Sequence, residues 1–284
     1  MSAAAAPGVL YIVATPIGNL EDLTHRAARV LGEVELIACE DTRHSRKLLD
    51  HYGIHRPLVS YYRENEATRG EELLRRLQAG DNVALVSDAG TPLLSDPGAR
   101  LVARAVAAGI RVVPLPGASA PLAALMACGI WGEAGEPVAF LGFPPARAGA
   151  RRTWLAPWRS WPGALVLFES PHRLPASLAA LEEVLGPERP LVVARELTKL
   201  HEEFQRGTVA SLAVLFQDRA QASPLRGECT MVVGPAPASA PPLAPAPPPP
   251  EMTRAQLKQW ARAQGWSRSE AYRRLQQLRG TIKD

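Results

Sequence analysis

The chain has 284 residues, of which 46% are hydrophobic and 21% charged, with a formal net charge of +4. That length can bury one large core or two medium ones. Composition excludes several classes: no apolar run is long enough to span a bilayer, and Met1–Gly8 lacks the basic and apolar regions of a secretory signal. Three cysteines (Cys39, Cys128, Cys229) lie too far apart for metal spacing and read as buried thiols of a reducing, cytoplasmic setting.

In chain order, Val9–Ala14 is an apolar β-branched run, followed by a polar loop and a helix opening near Thr24. Val34–Ala38 is a second strand and Ser45–Tyr52 a helix stopped by Gly53. Pro57–Tyr62 is a third strand, and Asn65 caps a helix running to Gln78. Val83–Val86 is a fourth strand whose loop enters a helix with Asp96 as N-cap and Pro97 at the first helical position. That helix runs to Ala108, and Ile110–Leu115 is the fifth strand. Near-continuous apolar strands separated by amphipathic helices imply a mostly parallel sheet with helices on both faces.

Gly129–Glu136, rich in glycine and without periodicity, reads as a boundary. Beyond it, strands are expected at Val138–Phe143, Ala164–Phe168, Pro190–Glu196 and Cys229–Val233, with helices near Ala150–Trp158 and Pro171–Leu185. The pattern is thus that of two α/β domains, residues 8–129 and 137–234, the second mixed in strand direction. Residues 235–250 hold nine prolines in sixteen positions, a semi-rigid spacer. Residues 251–284 show two capping boxes, Thr253 with Gln256 and Ser267 with Glu270, and read as a small helical hairpin.

Charge is unevenly placed. Residues 251–284 carry eight Lys/Arg against three Asp/Glu, whereas the other 250 carry 24 against 25. All the positive excess is therefore in the tail, which reads as the footprint of a polyanion partner such as nucleic acid, with a solubilising extension as the alternative. Of the 32 bases only four are lysine, at positions 47, 199, 258 and 283. Arginine cannot replace lysine where the amine must lose its proton, which makes these four the candidates for amine chemistry.

Familiar sites are missing from the sequence. No Gly-x-Gly-x-x-Gly follows the first strand, and there is no P-loop, His-Glu-x-x-His or Cys-x-x-Cys. His51 and His55 are four apart, but Gly53 breaks the helix that would align them on a metal. Polar strand ends are present instead: Ala14-Thr-Pro-Ile-Gly-Asn-Leu20, Glu40-Asp-Thr-Arg-His44, Ser87-Asp-Ala-Gly-Thr-Pro92 and Pro114-Leu-Pro-Gly-Ala-Ser119. The second domain adds Phe168-Glu-Ser-Pro-His-Arg173 and Ala194-Arg-Glu-Leu-Thr-Lys199. Ligands of open α/β sheets sit outside the carboxyl ends of the strands, so the expected site is the cleft between the domains.

These motifs, with Asp96-Pro-Gly98 and Gly227-Glu228, resemble the tetrapyrrole methylase superfamily. Within it they resemble the ribosomal RNA small subunit methyltransferase I branch, over residues 8–234. The resemblance implies two α/β domains of tetrapyrrole-methylase type with S-adenosylmethionine in the interdomain cleft and no metal. It also implies 2′-O-methylation of a cytidine in small-subunit ribosomal RNA, on RNA or the 30S particle, by a homodimer. Donor-contacting positions carry over to Ile17, Asp88, Gly90, Thr91, Pro92, Leu94, Ser119, Ala120 and Phe168.

A ribose hydroxyl is a poor nucleophile, and a base helps. Lys199 is the first choice, as a desolvated amine of lowered pKa, with Glu169, Glu196, Asp88 and Asp41 as the other options. Arg43 is expected to clamp phosphate or ribose, since a guanidinium cannot act as a base. A porphyrin-ring methyltransferase and a non-catalytic RNA-binding assembly factor are the competing readings.

Overall fold

The computed structural model describes residues 6–131 and 136–237. The proline spacer and the expected basic hairpin at 251–284 lie outside the described residues. Both sheets belong to one compact unit.

The first sheet has five parallel strands, β1 (Val9–Val13), β2 (Leu36–Cys39), β3 (Leu58–Ser60), β4 (Val83–Val86) and β5 (Arg111–Leu115), in the order β3-β2-β4-β1-β5. Strand alternation divides its side chains. Ile37, Cys39, Ala84 and Val86 face α1 (His25–Glu33) and α2 (Thr42–His51). Leu36, Ala38, Val83 and Leu85 face α3 (Glu66–Gln78) and α4 (Ala99–Ala107). Burial on both faces explains why β2 and β4 carry no charged position. The chain crosses to the second sheet through α5 (Ala120–Ala127), an apolar helix whose Ala124 and Leu125 pack on Val166, Val192 and Val232.

The second sheet contains β6 (Val138–Gly142), β7 (Ala164–Glu169), β8 (Pro190–Arg195), β9 (Glu203–Thr208) and β10 (Cys229–Val233), in the order β6-β7-β10-β8-β9. Only β6 and β7 run parallel; the remaining pairs are antiparallel. Helices α6 (Ala148–Leu155), α7 (Leu174–Leu185) and α8 (Val209–Ala222) cover the face opposite α5 around Leu178, Leu181, Phe216 and Met231. The mixed strand direction agrees with the sequence pattern. Strand β9 and helix α8 have no counterpart among the expected elements. Polarity hides the strand: β9 reads Glu-Phe-Gln-Arg-Gly-Thr because it is an edge strand with no fully buried residue.

Two expected helix starts are corrected. Helix α2 begins at Thr42, three residues before Ser45, because the Asp41 side chain accepts the Arg43 N–H and caps it. Helix α4 is not capped by Asp96. Its N-cap is Gly98, at φ +127°, whose N–H donates to Glu66 Oε1 at 2.8 Å. Pro97 therefore precedes the helix, and Asp96 is free for other work.

Arg189 is the largest fully buried side chain among the described residues. Its guanidinium donates to the carbonyls of Gly234, Trp158, Arg159 and Trp161 at 2.7–3.2 Å, and burial pulls its pKa down to about 10. It thus satisfies the loop after α6 and the exit of β10 together. Arg189→Leu should leave the Gly234 and Arg159 carbonyls without a donor, while Trp158 and Trp161 keep their backbone partners, and cost about 2–3 kcal/mol. Urea denaturation measures this, and a loss under about 1 kcal/mol would show that the Gly234 and Arg159 carbonyls find other partners.

Candidate active site

The strand-end loops of the first sheet are sewn to one another. Thr15 and Gly90 exchange both backbone hydrogen bonds, at 2.9 and 3.0 Å. Thr15 Oγ1 donates to Ser87 O, and Thr91 Oγ1 donates to Ala118 O, each at 3.1 Å. Loops after β1, β4 and β5 are therefore one surface. Gly90 has φ +78°, which favours glycine, and a Cβ there would stand 3.1 Å from Ile17 Cγ2, a crowded contact.

That surface forms one wall of a cleft of about 360 Å³, within the usual range for small-molecule sites. Ile17, Asp88, Gly90, Thr91, Leu94, Ser119, Ala120 and Phe168 all line it. Pro92 does not; it is buried behind the loop. Sequence reasoning missed Phe143, Leu197, Cys229 and Asp96, which also line the cleft. Phe143 and Phe168 meet at 5.2 Å between ring centroids and build an aromatic wall from the second sheet. A β-bulge between Phe140 and Gly142 brings that end of β6 near the β4 loop, and a Cβ on Gly142 would lie 3.2 Å from Ser95 Oγ.

The three residues expected to act on the substrate are placed differently. Lys199 does not line the cleft; its Nζ donates to Glu196 Oε1 and Glu228 Oε2, both at 2.9 Å. Partial burial pulls its pKa down, but the two carboxylates outweigh that and hold it above the ordinary lysine value. A lysine held this way is a protonated latch rather than the neutral amine a base requires. Its stem lies over Gly18, where a Cβ would come within 2.4 Å of Lys199 Cγ, so it fastens the β1 loop to the second half.

Glu169 lines the cleft, but its carboxylate accepts from the Ser170 N–H, from Arg173 and from the Ser177 hydroxyl. It anchors the turn into α7. Arg43 is outside the cleft lining, with its side chain 90% exposed and paired to Asp41. Asp41 in turn serves as the α2 cap. Glu196 is spent on Lys199 and on the Glu228 N–H.

Asp96 stands apart. Burial raises its carboxyl first, Glu40 and Asp88 raise it further, a hydrogen bond with Ser87 opposes them, and the result is a pKa of about 6. Cys229, deeper in the cleft, is pushed by burial to about 12 and remains a thiol. Among the described residues no group of three or more His, Cys, Asp or Glu is arranged to hold a metal ion.

The raised carboxyl of Asp96 has a consequence for stability. A folded-state pKa above the unfolded value means that the ionised group costs stability at pH above about 6, and that this cost vanishes as pH falls below about 4. Asp96→Asn removes the cost. After a discount for partial exposure, it should gain roughly 1–2 kcal/mol relative to wild type on going from about pH 4 to about pH 8. Urea unfolding at both pH values measures it; a difference that does not change with pH would return Asp96 to the ordinary carboxylate range.

Comparison with known proteins assigns the class. Residues 9–213 match the family model of Tetrapyrrole (Corrin/Porphyrin) Methylases. Solved structures agree at the level of fold. Uroporphyrin-III C-methyltransferase from Thermus thermophilus, complexed with S-adenyl homocysteine, superposes with TM-score 0.56 at 19% identity, over 80% of this chain and 97% of that one. Diphthine synthase superposes with TM-score 0.60 at 15% identity, over 80% and 90%.

Sequence relatives narrow the class. A Mesorhizobium japonicum protein named ribosomal RNA small subunit methyltransferase I is 51% identical over 231 residues, 81% of this chain and 76% of its own. A Synechocystis protein of the same name is 45% identical over 269 residues, 94% and 92% of the two chains. The chain belongs to the tetrapyrrole methylases, and within them to the ribosomal RNA small subunit methyltransferase I family.

Proposed function

We propose that this chain transfers the methyl group of S-adenosylmethionine to the ribose 2′-hydroxyl of a cytidine in small-subunit ribosomal RNA. The observation that carries the reading is relatedness to proteins named for that RNA at 45–51% identity over most of the chain. The cleft suits the donor chemically. Apolar Ile17, Leu94 and Phe168 offer surface for an aromatic base, and the carboxylates Asp88 and Asp96 suit a cationic sulfonium or ammonium. Ser119 caps α5 and Ala120 opens it; Pro121 carries no N–H, but the Ala120 and Leu122 N–H groups of the first turn lack intrahelical partners and suit a carboxylate.

The donor supplies an activated methyl group when bound. The chain itself supplies orientation, a proton acceptor and exclusion of water. Holding the nucleophilic oxygen and its target in line is worth about 7–11 kcal/mol in well-oriented intramolecular reactions. The interlocked loops provide the rigidity that such alignment demands. A homodimer, a 30S particle as substrate and a cytoplasmic location belong to the same proposal.

Incubation with methyl-labelled S-adenosylmethionine and either deproteinised small-subunit RNA or intact 30S particles tests the reading. Label in RNA that maps to a cytidine ribose supports it. Label in an added tetrapyrrole, or in neither, contradicts it. Gly90→Val should weaken donor binding at least about 100-fold by calorimetry, because the side chain fills the space against Ile17 in a conformation valine rarely adopts. Unchanged affinity with a cooperative unfolding transition would move the donor elsewhere.

A further inference from the structure

We infer that Phe143 is the platform on which a nucleobase of the acceptor RNA strand stacks, an inference that rests on the function proposed above. All five phenylalanines of the chain are among the described residues, and Phe143 is the exposed one, with 55% of its surface in solvent. It nevertheless lines the cleft. Phe168 is flanked by two rings, Phe140 at 5.1 Å and Phe143 at 5.2 Å between centroids. Among the described aromatic side chains Phe143 meets Phe168 alone, so over half of its surface is left for a ligand.

An apolar ring left in water forgoes the stabilisation that burial would bring, and three devices hold this one there. Strand β6 ends on a register shift between Phe140 and Gly142, and Gly142 takes φ +68°. Pro144 and Pro145 follow; proline fixes its own φ and confines the residue before it to extended backbone, so Phe143 has little freedom. The buried Arg151 then donates to Pro145 O at 3.1 Å and to Ala146 O at 2.9 Å, which pins the loop. The outcome is a rigid apolar face reached from solvent.

Size and charge choose the occupant. At about 360 Å³ the cleft is near the low end for small-molecule sites and takes one ligand of the donor's kind. The acceptor must then reach the methyl group from the solvent side, where the exposed ring stands. Among the described residues the cleft lining holds four carboxylates, Asp88, Asp96, Glu169 and Glu228, and no Lys or Arg. Phosphate gains nothing there, and an uncharged contact is the attraction this rim can offer an RNA strand. Bases splayed out of an RNA strand stack on aromatic side chains with little regard to sequence. A base held against Phe143 would keep its ribose at the cleft mouth.

Variants of the full chain test this, on whichever of deproteinised small-subunit RNA or 30S particles the wild type labels. Phe143→Ala should weaken RNA affinity about 10- to 100-fold, the range for losing one stacked base. Phe143→Tyr should stay within about threefold of wild type, whereas Phe143→Leu, apolar but without a π face, should be as weak as the alanine variant. The slope of log affinity against log salt should not change, because no phosphate contact is lost. Calorimetric affinity for S-adenosylmethionine should stay within about threefold of wild type in all three variants. RNA affinity of Phe143→Ala within about threefold of wild type overturns the platform and leaves the proposed function standing. Leucine binding RNA as well as phenylalanine overturns stacking in favour of a plain apolar contact. Loss of donor affinity in Phe143→Ala assigns the ring to the donor, and a changed sedimentation coefficient assigns it to a second copy of the chain; either overturns the inference. Failure of the wild type to label RNA at all overturns the function and the inference with it.

Discussion

The reciprocal backbone pair between Thr15 and Gly90 is the constraint on which the rest of this site depends. Strand ends of a parallel sheet leave their loops free to diverge, and a cleft wall made of independent loops would be soft. Two backbone bonds, the Thr15 hydroxyl on Ser87 and the Thr91 hydroxyl on Ala118 convert three loops into one surface. The second sheet contributes the opposing aromatic wall of Phe143 and Phe168. Lys199 fastens the two sides where its stem crosses Gly18.

The electrostatics of the cleft oppose those of the whole chain. The sequence is net positive, yet the cleft carries Asp88, Asp96 and Glu169, with Glu40 behind them. Burial and this acidic surrounding raise the carboxyl of Asp96, and an acidic pocket suits a cationic ligand. A polyanionic acceptor gains nothing from it. The positive excess of the sequence lies outside it, in residues 251–284.

Much of this is legible in the sequence because parallel strands buried on both faces leave long apolar runs. Val83–Val86 is one such run, and pattern and structure agree on it to the residue. The loops that follow are legible for the opposite reason: Gly90 and Thr91 are small and polar at a strand end, where nothing in the core requires them. Edge strand β9 is not legible, since its polar residues carry no period. Nor is the duty of each charge. Asp96 before Pro97 has the local signature of a helix cap, and only the left-handed turns at Leu93 and Ser95 move the start of α4 beyond it. Lys199 has the look of a spare amine because its partners Glu196 and Glu228 come together only when β8 and β10 pair. Side-chain pairing across long sequence separations is a property of the fold, and local pattern carries no trace of it.

The most direct test of the account is a crystal structure of the protein with S-adenosylhomocysteine. The interlocked loops require the ligand to lie against the backbone of Gly90 and Thr91, between Ile17 and Phe168, with the Thr15–Gly90 pair intact. A ligand bound outside this cleft, or a bound state in which that pair has opened, would contradict the claim that the joined strand ends form the donor site.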